Sequence, residues 1–493
     1  MGFKTDTSFL RFLTMGARAT LSVIDELRRM GFAPIELERY STSNKIWSTK
    51  IKRLRLPDLL CVQTGLRVEV RAKASLEIRM SHAPNNAERH WDAGLRPEDV
   101  IALVPCRDVE GMPEIAGAPA YFGVDMLRAS VDAKQLSALK AASEGSEQYL
   151  TWPSIVSSRP GRVLWCDSER LAVEWGGDGG PLRRYTYTLR GKRSYVAAGQ
   201  GFAANTAILA GTPTGFADLT PYCNQRYQPL DALRSANIID RYSAAKAIAF
   251  RPDLGDAARP VLEAMLNKEK DGRLALEIAG TASSLGVQAG LDHIHQALWN
   301  GEEAQLRMEA ALIATEIGIR SGREGIATLL AEVAGNRRSF QGDEVRQAAA
   351  WGLGRAGIRR YDLLLDLLTD EEEDVALQAI AAFGSDTQEP VVRELVTRLG
   401  NRSLRGAAAA SETLRIIGGP VVLRLLIEAA RQQHHGRPWV LATIGRLPAE
   451  SVRAALAGDA LLAEVEPLLL VSSGSWLSPE NTATSLGFLL KQN

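Results

Sequence analysis

The sequence predicts a multidomain chain of mixed class. An α/β domain spans residues 1–128, a connecting helix 129–150, a small all-β module 151–235 and an α-helical repeat domain 236–493. Three observations carry this division. The first hundred residues read helix, strand, hairpin, helix, strand. Residues 152–213 are rich in Gly, Val, Tyr and Trp and break into short alternating runs. From about Ile239 an Ala-rich helical segment recurs at offsets of 32, 32, 39, 30 and 29 residues, and self-similarity at such a period means stacked helices.

Composition sets the outer bounds. A chain of 493 residues suggests roughly three domains of about 100–200 residues each. Apolar content of 45% and charged content of 24% are ordinary for a globular protein. Net charge is zero, which excludes wholesale electrostatic attraction to nucleic acid or an anionic membrane. Residues 1–100 nevertheless carry 17 Lys/Arg against 12 Asp/Glu, with the excess gathered at Lys50-Ile51-Lys52-Arg53-Leu54-Arg55. The four cysteines, Cys61, Cys106, Cys166 and Cys223, lie far apart without CxxC spacing, so neither a zinc site nor a disulfide framework is predicted. None of the six histidines pairs at metal-ligand spacing with a third ligand. Phe3 to Met15 is broken by charges, and no apolar run approaches the ~18 residues that span a bilayer. A reducing, cytoplasmic setting and no membrane partner are the expectation.

Within the first domain, Ser8 to Met30 reads as a helix, with Phe9, Leu13, Thr20, Ile24 and Leu27 near helical spacing and Gly31 as its stop. Pro34 to Arg39 alternates as a first strand, and Tyr40 to Trp47 is a polar loop. Leu59 to Val62 is a short apolar strand, and Gln63-Thr64-Gly65 is turn material. Leu66 to Lys73 then alternates strictly, with Leu66, Val68, Val70 and Ala72 on one face and Arg67, Glu69, Arg71 and Lys73 on the other. A two-residue loop pairs Val62 with Gly65 and therefore sets Asp58 opposite Glu69. Directly opposed residues share a face, their Cβ atoms about 4.5–5.5 Å apart. Two carboxylates that close repel, and a divalent cation with oxygen ligands removes the penalty. Leu76 to Met80 extends the alternation, Pro84 to Leu95 is predicted helical with Trp91 as a core anchor or a stacking platform, and Asp99 to Cys106 is a buried strand.

These residues resemble the PD-(D/E)XK nuclease superfamily over roughly residues 8–125. Pro57-Asp58 and Glu69 match its motif; the E-x-K lysine position holds Arg71, and Lys73 lies one pleat further along the same face. The resemblance implies a restriction-endonuclease-like αβββαβ fold and a Mg²⁺ (or Mn²⁺) ion ligated by Asp58 and Glu69. It further implies that Lys73 or Arg71 stabilises the phosphate and that Glu26, on the first helix, joins the site. Arginine holds its proton too firmly for acid–base work, so Lys73 is the better match for that role. Lys50, Lys52, Arg53 and Arg55 lead into the site and would grip nucleic-acid phosphates, or would keep an edge strand soluble. The activity implied is metal-dependent phosphodiester cleavage in bacterial genome defence or DNA processing. The alternative is a nuclease fold without catalysis that binds nucleic acid or acts as a scaffold.

Beyond the connecting helix at Ser130 to Ser146, short strands fall at Arg162–Cys166, Arg170–Trp175 and Arg183–Leu189. A small SH3-like or barrel-type module is expected. Arg183, Arg184, Arg190, Lys192 and Arg193 interleave with Tyr185, Tyr187 and Tyr195; this is either a nucleic-acid face or core aromatics at strand spacing. In the helical part the recurring segments begin at Tyr242, Leu274, Leu306, Val345, Val375 and Leu404, with second helices such as Tyr361 to Leu368 and Val391 to Leu399. Asp343-Glu344-Val345-Arg346-Gln347-Ala348-Ala349 resembles the HEAT repeat, which implies a solenoid. Trp439 to Leu447 and Ala460 to Leu470 are its expected terminal repeats. The partner of such a solenoid is protein or nucleic acid: Arg337, Arg338, Arg355, Arg359, Arg360 and Arg405 are candidate phosphate contacts, while Glu371-Glu372-Glu373-Asp374 argues locally against them.

Overall fold

The computed structural model describes residues 7–37, 54–109, 111–142, 145–176, 182–321, 324–336, 344–355, 357–401, 403–432 and 435–469. The chain divides into two units, one of residues 11–42 and 52–254 and one built mainly from Gly255 onward.

The first unit begins with helix α1 (Thr7–Arg29), whose apolar stripe of Ala19, Val23, Ile24 and Leu27 is buried. Strands β1 (Pro34–Glu36), β2 (Leu59–Cys61), β3 (Arg67–Lys73), β4 (Arg79–His82), β5 (Val100–Val109), β6 (Met112–Ile115) and β7 (Ala120–Gly123) follow. The main sheet runs β1-β2-β3-β5-β6, with β7 also on β5. The first three strands are antiparallel and β3 pairs parallel to β5. Leu59, Cys61, Val68, Val70, Val100, Ala102 and Val104 pack on the α1 side. Each large aliphatic so buried contributes about 1.5–3 kcal/mol.

The parallel β3–β5 connection contains no α-helix, contrary to the expectation for Pro84 to Leu95. Only a single 3-10 turn, Ala87–Arg89, forms there. Asn86 accepts a hydrogen bond from the Glu88 amide, a local bond that competes with helix. Gly94 sits at φ 78°, and a side chain there would meet the Arg55 carbonyl at 2.0 Å. Trp91 is buried edge-on against Trp152, 5.2 Å between ring centroids, which settles it as a core residue.

Helix α2 (Val124–Ala129) leads to a second departure. The described residues of 130–146 form no α-helix; a 3-10 turn is followed by β8 (Gln135–Leu136), β9 (Lys140–Ala142) and β10 (Gly145–Thr151), in a sheet ordered β4-β10-β8 with β9 on β10. A helix would need to bury an apolar face, yet Leu136 and Leu139 are 57% and 56% exposed. The residues that do bury, Leu150 and Trp152, share a core with Ile101, Leu103 and Phe122 on the second face of the main sheet.

Strands β11 (Ser154–Val156), β12 (Gly161–Cys166), β13 (Arg170–Trp175), β14 (Arg183–Thr188), β15 (Arg193–Ser194), β16 (Gly201–Phe202) and β17 (Ile208–Gly211) form two sheets, β11-β17-β15 and β14-β13-β12-β16. Val163, Leu171, Val173, Leu189 and Leu209 fill the core between them.

After the short α3 (Pro229–Ala232), helix α4 (Ile238–Ile248) belongs to the first unit, although its sequence reads as the first repeat. Ala247 packs with Leu37, Leu60 and Val62 on the second face of the main sheet. The buried Lys246 ammonium donates to the Leu37 carbonyl at 3.1 Å. Arg67, which alternation places on the charged face of β3, is 2% exposed. Its Nε donates to Asp99 at 2.9 Å and Nη1 to Asp240 of α4 at 3.1 Å, while Nη2 reaches Asp99 and the Gly94 carbonyl.

The second unit is a stack of helix pairs: α5 (Gly255–Leu266), α6 (Gly272–Ser284), α7 (Gln288–Asn300), α8 (Ala304–Ser321), α9 (Glu324–Gly335), α10 (Val345–Leu353), α11 (Tyr361–Leu367), α12 (Glu373–Ala381), α13 (Glu389–Arg398), α14 (Leu404–Ile417), α15 (Gly419–Arg431), α16 (Arg437–Gly445), α17 (Ala449–Ala455) and α18 (Leu461–Leu469). From α6 to α18 the even-numbered helices each touch the next even one as well as a partner. They are consequently buried nearly all round, as at Leu274–Ser283 and Val345–Leu353. Small residues make this possible: a side chain at Gly352 of α10 would lie 2.2 Å from the Thr315 hydroxyl of α8. Arg346, 1% exposed, ties three elements together. It donates to the Ala334 carbonyl at 2.9 Å and pairs with Asp370 at 2.6 Å and Glu372 at 2.9 Å. Asp343 of the same motif lies outside the described residues.

Two substitutions test these packing arguments. Arg67→Met removes the buried guanidinium that pairs with Asp99 and Asp240, leaving the Asp99 carboxylate only its contacts with Arg96 among the described residues, and should lower unfolding free energy by roughly 3–5 kcal/mol in urea denaturation. Gly352→Ala should cost about 1–3 kcal/mol through overpacking, and a second change, Thr315→Ala, should recover part of it.

Candidate functional site

The β2–β3 hairpin turns through Gly65 at φ 77°, and the ladder pairs Leu59 with Val68 and Leu60 with Arg67. That register, carried one residue outward, sets Asp58 across from Glu69. The Asp58 carbonyl accepts from the Leu37 amide, just past β1, at 2.9 Å, so its own pair on β3 is the non-hydrogen-bonded kind, in which side chains stand closer. An Asp58 carboxylate oxygen accepts from the Val70 amide at 2.7 Å, which orients the carboxylate over β3.

Glu69 is half-buried and pairs with Arg71, Nη2 to Oε1 2.8 Å, while the Arg71 side chain is 45% exposed. Lys73, two residues on and on the same strand face, donates to the Arg79 carbonyl. Burial, reinforced by the neighbouring Arg71 and Arg79 guanidiniums, pulls its pKa down to about 8. The hairpin thus presents two carboxylates, one exposed guanidinium and one easily deprotonated ammonium. Among the described residues no group of three or more His, Cys, Asp or Glu is arranged to hold a metal ion. The donor set on this hairpin is the pair Asp58 and Glu69, and hard cations accept one or two carboxylates completed by water or phosphate.

Glu26 does not join this group. It lies on the α1 side, where the Tyr121 hydroxyl donates to it at 3.2 Å and burial raises its pKa. Val68 and Val70 face α1, so alternation turns Glu69 to the other side of the sheet. Of the basic run, Lys50, Lys52 and Arg53 lie outside the described residues, and Arg55 is exposed. In the repeats, Arg337 and Arg338 also lie outside the described residues. Arg355 stacks on Trp351, and Arg359 and Arg360 pair with Asp386 and Asp362. Arg405 donates to the Glu371 carbonyl.

Sequence reasoning missed the Arg67–Asp99–Asp240 network beside the site, which Arg96 joins through its backbone amide, 2.6 Å from Asp99. Its members are separated by 32 and 173 positions, and no local pattern links them.

No protein-family model matches the chain, and no curated protein matches it. Among solved structures it is similar to the Escherichia coli protein YibA, at 17% identity over 54% of this chain and 92% of that one, with a TM-score of 0.29. The complex of CpcE and CpcF of phycocyanin lyase from Nostoc sp. PCC7120 matches at 18% identity over 50% and 96%, with a TM-score of 0.26. Human deoxyhypusine hydroxylase in complex with glycerol matches at 17% over 48% and 98%, with a TM-score of 0.22. At such TM-scores these likenesses carry no argument, and the repeat architecture rests on the helix packing described above.

Proposed function

We propose that the first unit is a metal-dependent nucleic-acid phosphodiesterase of the PD-(D/E)XK type. The observation that carries the reading is the opposition of Asp58 and Glu69 across the hairpin, with Arg71 and Lys73 on the same strand face. Asp58 and Glu69 are the residues that would hold Mg²⁺ or Mn²⁺. A bound ion of this kind lowers the pKa of water and neutralises charge on a phosphoryl oxygen.

The chain's own groups supply position and charge. The Val70 amide fixes Asp58, and Arg71 pairs with Glu69 and orients it. The exposed Arg71 guanidinium is free of the core and matches a phosphate in shape and donor number. Lys73 stands two strand residues further on and holds its proton below about pH 8, where its ammonium stabilises charge developing on the phosphate. The β-module, read as a small barrel, and the helical arm, read as HEAT-like, would hold substrate or a protein partner. Genome defence or DNA processing in a bacterial cytoplasm is the setting that fits this combination.

A second reading has its own observation: the Lys73 amine is engaged by the Arg79 carbonyl, and Arg71 occupies the lysine position of the motif. On that reading the hairpin binds nucleic acid or serves as a scaffold without cleaving.

Cleavage of single-stranded, duplex and branched substrates with Mg²⁺ or Mn²⁺ separates the two. The wild type should cut, and Asp58→Asn or Glu69→Gln should lose about a hundredfold or more in rate; a wild type inert with both metals leaves only the binding reading. The pH profile gives a further check. The Lys73 charge is fully present below about pH 8 and is lost as pH rises through it, so the rate should fall on the alkaline side. Lys73→Arg, which stays charged, should not show that fall.

A further inference from the structure

Strands β12, β13 and β14 present one face to solvent, and its side chains form three rows. Arg162, Glu174 and Arg184 stand in line across the three strands. Glu174 is 6% exposed and accepts from Arg162 at 2.8 Å and Arg184 at 3.2 Å, while those two guanidiniums remain 63% and 76% exposed. The next row is Trp165, Ala172 and Thr186, and the third is Arg170 and Thr188. Trp165 is 40% exposed, with the Arg170 guanidinium 5.5 Å from its ring centroid. Arg170 is itself 59% exposed and lies 3.9 Å from Asp167.

The opposite face of the same sheet is core, formed by Val163, Leu171 and Val173. A sheet with one solvated face has no packing use for a large aromatic there. Residues 159–193 carry eight Lys/Arg against four Asp/Glu in a chain whose net charge is zero. Tyr187 and Trp175 lean into the core instead, so this face differs from the tyrosine–arginine face suggested by sequence spacing.

The geometry points to this face as a binding platform for single-stranded nucleic acid. Trp165 offers a flat ring to an unpaired base, and each base–aromatic stack is worth about 1–3 kcal/mol regardless of base identity. Arg162 and Arg184, fixed through Glu174, direct their remaining donors to the phosphates on either side. A duplex keeps its bases paired and cannot reach the ring. The site needs neither the metal nor the carboxylates of the hairpin.

The test is fluorescence anisotropy with the full chain, labelled dT20 and U20 probes, and EDTA to prevent cleavage. Both probes should bind, with affinity falling as salt rises. Trp165→Ala should weaken binding about tenfold, Trp165→Phe should restore most of it, and Arg162→Ala with Arg184→Ala should reduce the salt dependence. Asp58→Asn should bind like wild type, so loss of cleavage and loss of this platform read out separately. Unchanged affinity in Trp165→Ala, equal competition by a duplex of the same length, or no binding of either probe would each overturn the inference.

Discussion

The buried guanidinium of Arg67 is the interaction on which the first unit turns. It sits two residues before Glu69 on the same strand and reaches into the crossover through Asp99 and the Gly94 carbonyl. It also reaches helix α4 through Asp240. A guanidinium placed so deep needs its partners, because a buried charge left unpaired is strongly destabilising. Asp99 is equally buried and is shared with the Arg96 amide. The network fixes the β3 backbone and therefore the direction in which Glu69 and Arg71 leave it.

That closure explains a sheet whose crossover lacks a helix. A parallel pair buries both faces, and the connecting segment here supplies only the short strand β4, turns and a single 3-10 turn, with no α-helix. The second face is covered by α4 at the β1–β2 side and by Trp91, Trp152 and Phe122 further along. The hairpin carboxylates lie on this same face, half-buried among charged neighbours. Local low dielectric strengthens each of those pairings, and it is also what pulls the Lys73 pKa down.

How much of this was legible follows from the range of the forces involved. The hairpin could be read because strand alternation and a glycine turn are local, and the register Leu59↔Val68 places Asp58 where that alternation puts it. Helix α1 and the paired repeat helices were legible for the same reason: their apolar periods lie within a few residues. The segment at 130–146 was not, because its small and polar residues suit helix or strand and the decision rests on distant burial of Leu150 and Trp152. Alternation puts Arg67 on the face of Glu69 and Arg71 but says nothing about what covers that face. Glu26 lies on the α1 side of the sheet, away from the hairpin carboxylates. Its place on the first helix is readable, but the side of the sheet that helix occupies is not.

Helix α4 shows how repeat-like sequence and structural membership part company. Its alanines match those of α6 and α8, yet Ala247 and Lys246 serve the sheet, the latter through the Leu37 carbonyl. A gene fusion or recombination event that exchanged the repeat array at the point where the repeats seem to begin would strip the first unit of a wall. The boundary between the units falls after Leu254. Repeat number in the arm can therefore vary through duplication or loss beyond that point, while the first repeat-like helix must be inherited with the strands it shelters.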